Sequence, residues 1–293
     1  MAVQTRAIKR RIKSVTNTRK ITKAMELVSA SKMRKAVNAV LMSKPYSKLA
    51  WEAIRSIGKK VDTSMHPLLR ETHKTERVLM LLLSSDRGLA GGYNTNIIRM
   101  AMQEIRRLGD GVEIETICIG KRGADAMKRA GRPILASFTE ITNNTKFEEI
   151  LPIGRMVINE FTKGTFDRVV LVYTDFISAI AQKPVILELL PLGKPEDVQT
   201  NGEAREVKFE PSPQAVLDRV LPRLIETMVY QAVLEAAASE HSSRMLAMRN
   251  ASDSAAEMID DLTFTFNQAR QAGITQEIAE ISSGKAALEK NSH

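Results

Sequence analysis

The sequence predicts an α/β protein in which a central sheet domain sits between two very long helices that pair as an antiparallel coiled coil. Three observations carry this prediction. Glycine is absent over residues 5–57 and again over residues 203–272. Both stretches repeat apolar residues at helical spacings. Between them, residues 76–193 alternate continuous apolar runs with amphipathic ones, the signature of strand–helix units under a helix-covered parallel sheet.

The first helix occupies residues 5–57, with Pro45 its only proline and Gly58 its end. Apolar residues recur at Ile8, Ile12 and Val15, then at Ile21, Met25 and Val28, then at Val37, Val40 and Leu41. Their spacing implies a phase slip between Val15 and Ile21, like a stutter in a coiled coil. At ~1.5 Å per residue such a helix is roughly 75–80 Å long.

In the middle, residues 77–84 (RVLMLLLS) read as a buried strand and residues 93–108 as an amphipathic helix. A second strand follows at residues 112–119 and a second helix at 123–130. A short strand at 134–138 precedes a third helix at 147–161, which Pro152 is expected to interrupt. Residues 169–176 and 185–190 close the series as strands, and a polar loop returns the chain at 194–211.

The last helix starts with Ser212 as N-cap and Pro213 at the first helical position. Positions 245, 248, 252, 255, 259, 262, 266 and 269 then alternate three and four apart. They are Met, Met, Ser, Ala, Ile, Leu, Phe and Ala, a heptad seam broken only by Ser252. Two such helices cannot bury their stripes in a small domain, and their small and polar seam residues call for a surrounding sleeve. The expected division is a helix at 1–60, an α/β domain with its loops at 61–211, and a helix at 212–293.

Composition excludes several classes of function. One cysteine and four histidines leave no disulfide framework and no Cys/His metal cluster. Cys118 lies in an apolar run and reads as a buried structural thiol. The net charge of +9 is uneven: residues 1–60 carry +14 and the remainder −5. That asymmetry points to a polyanionic partner such as nucleic acid, anionic lipid or an acidic protein surface.

No motif assembles a catalytic site. The loop after the first strand, residues 84–92 (SSDRGLAGG), lies where a dinucleotide loop would, but its spacing is G-x-x-G-G. It is read as a structural or docking loop. The Gly-Lys pairs at 58, 120, 193 and 284 lack the upstream glycine and following Ser/Thr of a phosphate-binding loop. His66, His73 and His241 are isolated and are expected to face solvent or cap. Asp175 ends a strand without a second acid or a histidine placed near it.

Three runs resemble one family. Residues 8–33, beginning IKRRIKSVTNTRKITKAM, resemble the N-terminal helix of the gamma subunit of F-type rotary ATP synthases. So do SDRGLAGGYN at 85–94 and NQARQAGITQEI at 267–278. The motifs stand in the family's order and spacing and span essentially the whole chain. Ala90 stands where many relatives have cysteine, and residues 281–293 are more polar than the family's usual tip.

The resemblance implies a curved antiparallel coiled coil inside a ring of alternating alpha and beta subunits. Beneath it, a Rossmann-like domain stands on the membrane c-ring beside the epsilon subunit. It implies a non-catalytic shaft without cofactor or metal, since catalysis belongs to beta. Lys23, Met25, Arg87, Arg270, Gln271 and Thr275 are then expected to face the alpha/beta ring. Arg270, Gln271 and Thr275 are expected near Lys23 and Met25. Phe209 and Glu210 are expected to face the c-ring and epsilon. No organelle-targeting extension precedes the first motif, so a bacterial protein is expected, peripheral on the cytoplasmic face of the inner membrane and attached through the c-ring.

The rival reading is a basic coiled-coil nucleic-acid-binding protein. It leaves the embedded α/β domain unexplained, and residues 1–45 contain no aromatic side chain to stack on bases.

Overall fold

The computed structural model describes residues 2–58, 66–70, 74–109, 111–143, 145–192 and 212–290. The elements in chain order are α1 (Ala2–Gly58), β1 (Arg77–Leu83), α2 (Tyr93–Leu108), β2 (Glu113–Ile119), α3 (Lys121–Arg129) and β3 (Ile134–Phe138). They continue as α4 (Phe147–Thr162), β4 (Arg168–Phe176), β5 (Gln182–Leu190) and α5 (Pro213–Lys290). The chain divides into two compact units, one of Met1–Val28 with Met245–His293, the other Ser29–Arg244.

In the larger unit the strands lie in the order β3-β2-β1-β4-β5. β1 pairs in parallel with both neighbours, Leu81 standing beside Ile117 on one side and Leu171 on the other. Its side chains alternate between two cores, as the two-residue period of a strand requires. Leu79, Leu81 and Leu83 pack with Ile150, Ile153 and Val157 of α4 and with Leu221, Leu224 and Val229 of α5. Val78, Met80 and Leu82 pack with Ile97, Ala101 and Ile105 of α2 and Met127 of α3. Burial on both faces is why this strand is apolar without a break. Cys118 is buried in the second core, where burial pushes its thiol up to about 12.

Two expectations are corrected here. The sheet is not wholly parallel: β5 runs antiparallel to β4, with Leu171 opposite Leu187. The five residues between these strands are too few for a crossover helix, so the chain can only fold back as a hairpin. Nor does Pro152 interrupt α4, which runs on to Thr162. Pro152 falls early in the helix on an exposed face, so the carbonyl it leaves without an N–H remains open to water.

α5 begins as the sequence indicates, with Ser212 Oγ accepting the Ala215 N–H at 3.2 Å. In the smaller unit the α5 seam is shielded at each expected position. Met248, Ser252 and Ala255 are buried, and Met245, Ile259, Leu262, Phe266 and Ala269 are half-buried.

The α1 seam differs from its apolar spacing. Ile8, Ile12 and Val15 are half-buried, but the buried residues that follow are Thr22, Glu26 and Ser29, while Ile21, Leu27 and Val28 are more than half exposed. The three-and-four spacing therefore runs on without a phase slip, through polar residues. Thr22 explains the exchange, since its hydroxyl meets Ser252 Oγ at 2.7 Å.

Candidate partner-binding site

In the sheet unit, the loop between β1 and α2 is built from inside. Ser84 follows the strand, and its Oγ accepts the Gly123 N–H at 2.7 Å and donates to Gly120 O at 3.1 Å. Gly120 holds φ at +101°, and a Cβ there would lie 2.1 Å from the Ser84 carbonyl oxygen, so only glycine fits. Ser85 Oγ donates to Arg87 O at 2.6 Å and receives Asn94 Nδ2 at 2.7 Å, tying the loop to the first turn of α2. The Asp86 carboxylate accepts the N–H groups of Lys121 at 3.0 Å and Glu140 at 2.7 Å. It therefore braces its own loop against two neighbouring segments.

This framework pushes the loop tip outward. Leu89 adopts φ +61° and is 64% exposed. A leucine in the left-handed region, with its side chain in water, is strained and poorly hydrated at once. Arg87 is exposed beside it.

A residue group that sequence reasoning missed holds this loop from the other side. Arg244 of α5 reaches Gly88 O at 3.3 Å and Arg87 O at 3.4 Å. Its charge is balanced by Glu240 Oε1 at 2.8 Å, and both side chains are largely buried. Burial raises the Glu240 carboxyl above its ordinary range, and Arg244 opposes that shift. The available signal was a glutamate four residues before an arginine on one helix face.

His241 belongs to the same turn. It is buried rather than solvent-facing, and burial, with Arg244 and Lys32 adding to it, pushes its pKa down to about 4. His66 is buried too: its Nδ1 accepts the Leu68 N–H at 3.2 Å and its Nε2 faces Asp218 at 3.3 Å, so it caps a turn as expected. His73 lies outside the described residues. Asp175 stands opposite Lys183 across the β4–β5 ladder.

The helix residues fall in two places within the smaller unit. Lys23 is exposed and pairs with Glu26 at 2.9 Å, while Met25 is half-buried. Glu26 also faces Arg249 at 4.0 Å. Arg270, Gln271 and Thr275 are exposed, and Arg270 lines a groove of about 360 Å³ with Thr5, Gly273, Ile274 and Glu277.

Arg270 is thus beside Thr5 and not beside Lys23 and Met25, which correct register places near Ser252. Ser252 meets Thr22, and Arg270, 18 residues further on, shares its groove with Thr5, about as far before Thr22. At 1.5 Å per residue the two sites are roughly 27 Å apart along the helix. Phe209 and Glu210 lie outside the described residues. Among the described residues no group of acidic, histidine or cysteine side chains is arranged to hold a metal ion, and no helix is long and apolar enough to cross a membrane.

The family model described as ATP synthase matches residues 4–288. A curated relative, the ATP synthase gamma chain of Pelotomaculum thermopropionicum, is 44% identical over 97% of this chain and 99% of its own. The ATP synthase gamma chain of Stenotrophomonas maltophilia is 42% identical over 97% and 99%. Among solved structures, a chain of the Tetrahymena thermophila mitochondrial ATP synthase central stalk and c-ring aligns with a TM-score of 0.59 at 26% identity. That alignment covers 79% of this chain and 99% of the other. A chain of the Euglena gracilis mitochondrial ATP synthase, in a structure of OSCP, F1 and c-ring, shares the fold with a TM-score of 0.71 at 20% identity, covering 100% and 97%.

Proposed function

The chain belongs to the ATP synthase gamma-chain family, and from that membership we propose that it is the central rotor shaft of an F-type complex. In this reading, ion-driven rotation of the c-ring turns the chain, and the turning chain cycles the catalytic beta subunits through their conformations. One observation supports the mechanical part above all. The shielded seam of α5, the Thr22–Ser252 hydrogen bond and the groove shared by Thr5 and Arg270 support α1 and α5 lying side by side in opposite directions. We read this as an antiparallel coiled coil whose sleeve is the alpha/beta ring.

Such a shaft needs no chemistry of its own. Its faces differ, so each beta subunit around it meets a different set of side chains. Differential contact free energy then biases each beta toward a different nucleotide affinity, and rotation exchanges those biases. Catalysis belongs to beta, and the chain itself is non-catalytic.

Lys23 and Met25 on α1 and Arg270, Gln271 and Thr275 on α5 face the ring in this reading. They form two contact levels, in keeping with their separation along the helices. Arginine suits a contact that must be made and broken repeatedly, because its planar fork holds a carboxylate or carbonyl only in the right orientation. Arg87, beside the strained Leu89, faces the base of a beta subunit. Phe209 and Glu210 face the c-ring and epsilon. The shaft helices take residues 1–60 and 212–293, and the Rossmann-like foot takes 61–211. Attachment to the cytoplasmic face of a bacterial inner membrane is indirect, through the c-ring.

Two measurements test this. A tagged chain recovered from membranes should bring down alpha, beta, epsilon and c subunits; recovery with nucleic acid instead overturns the reading. The purified chain alone should hydrolyse no ATP, and its addition to alpha and beta should yield a cooperative ATPase. Hydrolysis by the chain alone that survives further purification contradicts the non-catalytic assignment.

A further inference from the structure

Most of α5 in the sheet unit is held by apolar side chains such as Leu221, Leu224 and Val229. Such packing holds the helix by the fit of its side chains, without bonds aimed at particular atoms. One short stretch is different. Ser239 Oγ donates to Thr174 O at 3.1 Å, at the end of β4. Ser242 Oγ donates to Ala179 O at 2.5 Å, in the β4–β5 hairpin. Ser243 Oγ donates to Gln182 Oε1 at 3.1 Å, and Gln182 Nε2 returns to Ser242 Oγ at 3.3 Å. Arg244 adds the two bonds to the loop after β1.

Ser239 and Ser242 are fully buried, and the Ser239–Thr174 bond is made out of competition with water, while the bonds to Ala179 and Gln182 are partly shielded. Together they reach the end of β4, the β4–β5 hairpin with the first residue of β5, and the loop after β1. The division between the two compact units falls directly after Arg244. Residues 239–244 are therefore the last stretch that α5 contributes to the sheet unit.

We propose that residues 239–244 form a rotational clamp that locks α5 to the sheet domain by directed hydrogen bonds, so that twist passes between helix and foot without slip. This rests on the rotor reading above. The serines and Arg244 are positioning residues, and they touch no nucleotide. Small side chains are required, because only a short hydroxyl lets the helix approach the hairpin closely enough to reach its carbonyls.

The test uses the assembled complex in inverted membrane vesicles. The triple variant Ser239→Ala/Ser242→Ala/Ser243→Ala removes the hydroxyls and keeps a helix-favouring residue at each position. Hydrogen exchange of the hairpin amides should quicken roughly a hundredfold, each lost hydroxyl being a factor of about five. Assembly and ATP hydrolysis should stay near wild type, while protons pumped per ATP fall. A probe on the sheet domain should fluctuate through a wider angle against the stalled ring. Gln182→Ala should shift each reading the same way by less, and Ser243→Thr, which keeps the hydroxyl, should keep wild-type coupling. Wild-type pumping and fluctuation in the triple variant overturn the clamp. So does loss of assembly or hydrolysis in step with pumping, in both the triple variant and Gln182→Ala, because that marks a merely structural role. A wild-type complex whose probe does not turn with ATP overturns the rotor reading itself.

Discussion

Thr22 and Ser252 lie 230 positions apart in the chain and share a buried hydrogen bond of 2.7 Å. Thr22 Oγ1 also reaches the Arg19 carbonyl at 3.0 Å, so the Thr22 hydroxyl donates to one oxygen while Ser252 can supply the other proton. A double-mutant cycle of Thr22→Val and Ser252→Ala should give a coupling of about 1 kcal/mol in equilibrium unfolding. Thr22→Val should cost more than Ser252→Ala, because it strands the buried Ser252 hydroxyl, whereas Thr22 keeps its bond to the Arg19 carbonyl. Additive costs would show that the two groups do not sense each other.

Gly120 and Gly131 separate crowding from backbone strain. Both hold positive φ, +101° and +64°, but only a Cβ at Gly120 meets the Ser84 carbonyl, while Gly131 opens on empty space. Gly131→Ala should cost about 1 kcal/mol from conformation alone. Gly120→Ala should cost at least about 3 kcal/mol, because the loop after β1 must move as well. Equal shifts in the denaturation midpoint would refute the close approach.

Acid should weaken the sheet unit through His241. Its pKa is about 4 in the folded chain against about 6.5 when unfolded. The unfolded state therefore binds the proton first, and the stability at stake is present in full above pH 6.5. It is lost as pH falls toward 4, by up to about 3 kcal/mol. His241→Gln, which cannot charge, should flatten the profile over that window relative to wild type. Parallel profiles would show that another group carries the loss.

Arg270→Ala should leave the complex assembled and reduce ATP-driven proton pumping by more than ATP hydrolysis, if the residue touches the ring as proposed. The lost contact is a charge-assisted hydrogen bond of about 1.5–3 kcal/mol. Wild-type values for both activities, in an assembled complex, remove Arg270 from the contact set.

What the sequence made legible follows from which forces leave a pattern. The α5 seam from Met245 to Ala269 was readable because apolar residues mark it at three and four. The α1 seam departs from the apolar spacing at Ile21 and Val28 because its buried positions, Thr22, Glu26 and Ser29, are polar, with Thr22 meeting Ser252 and Glu26 facing Arg249 far along the chain. Periodicity records hydrophobic burial and is silent on paired hydroxyls. The direction of β5 could have been inferred from the five residues between it and β4. Arg244 could not be placed by spacing alone, since its role depends on a loop some 150 residues earlier.

Cys118 gives the chain a practical property. It is the only cysteine, it is fully buried, and its thiol is pushed up to about 12. Alkylating reagents consume thiolate, and burial both disfavours that form and closes the sulfur off from reagent. The natural sequence is therefore already silent toward maleimide dyes. A fluorophore or spin label can be directed to any engineered surface cysteine without first deleting a native one, and distances or rotations can be read on an otherwise unaltered molecule.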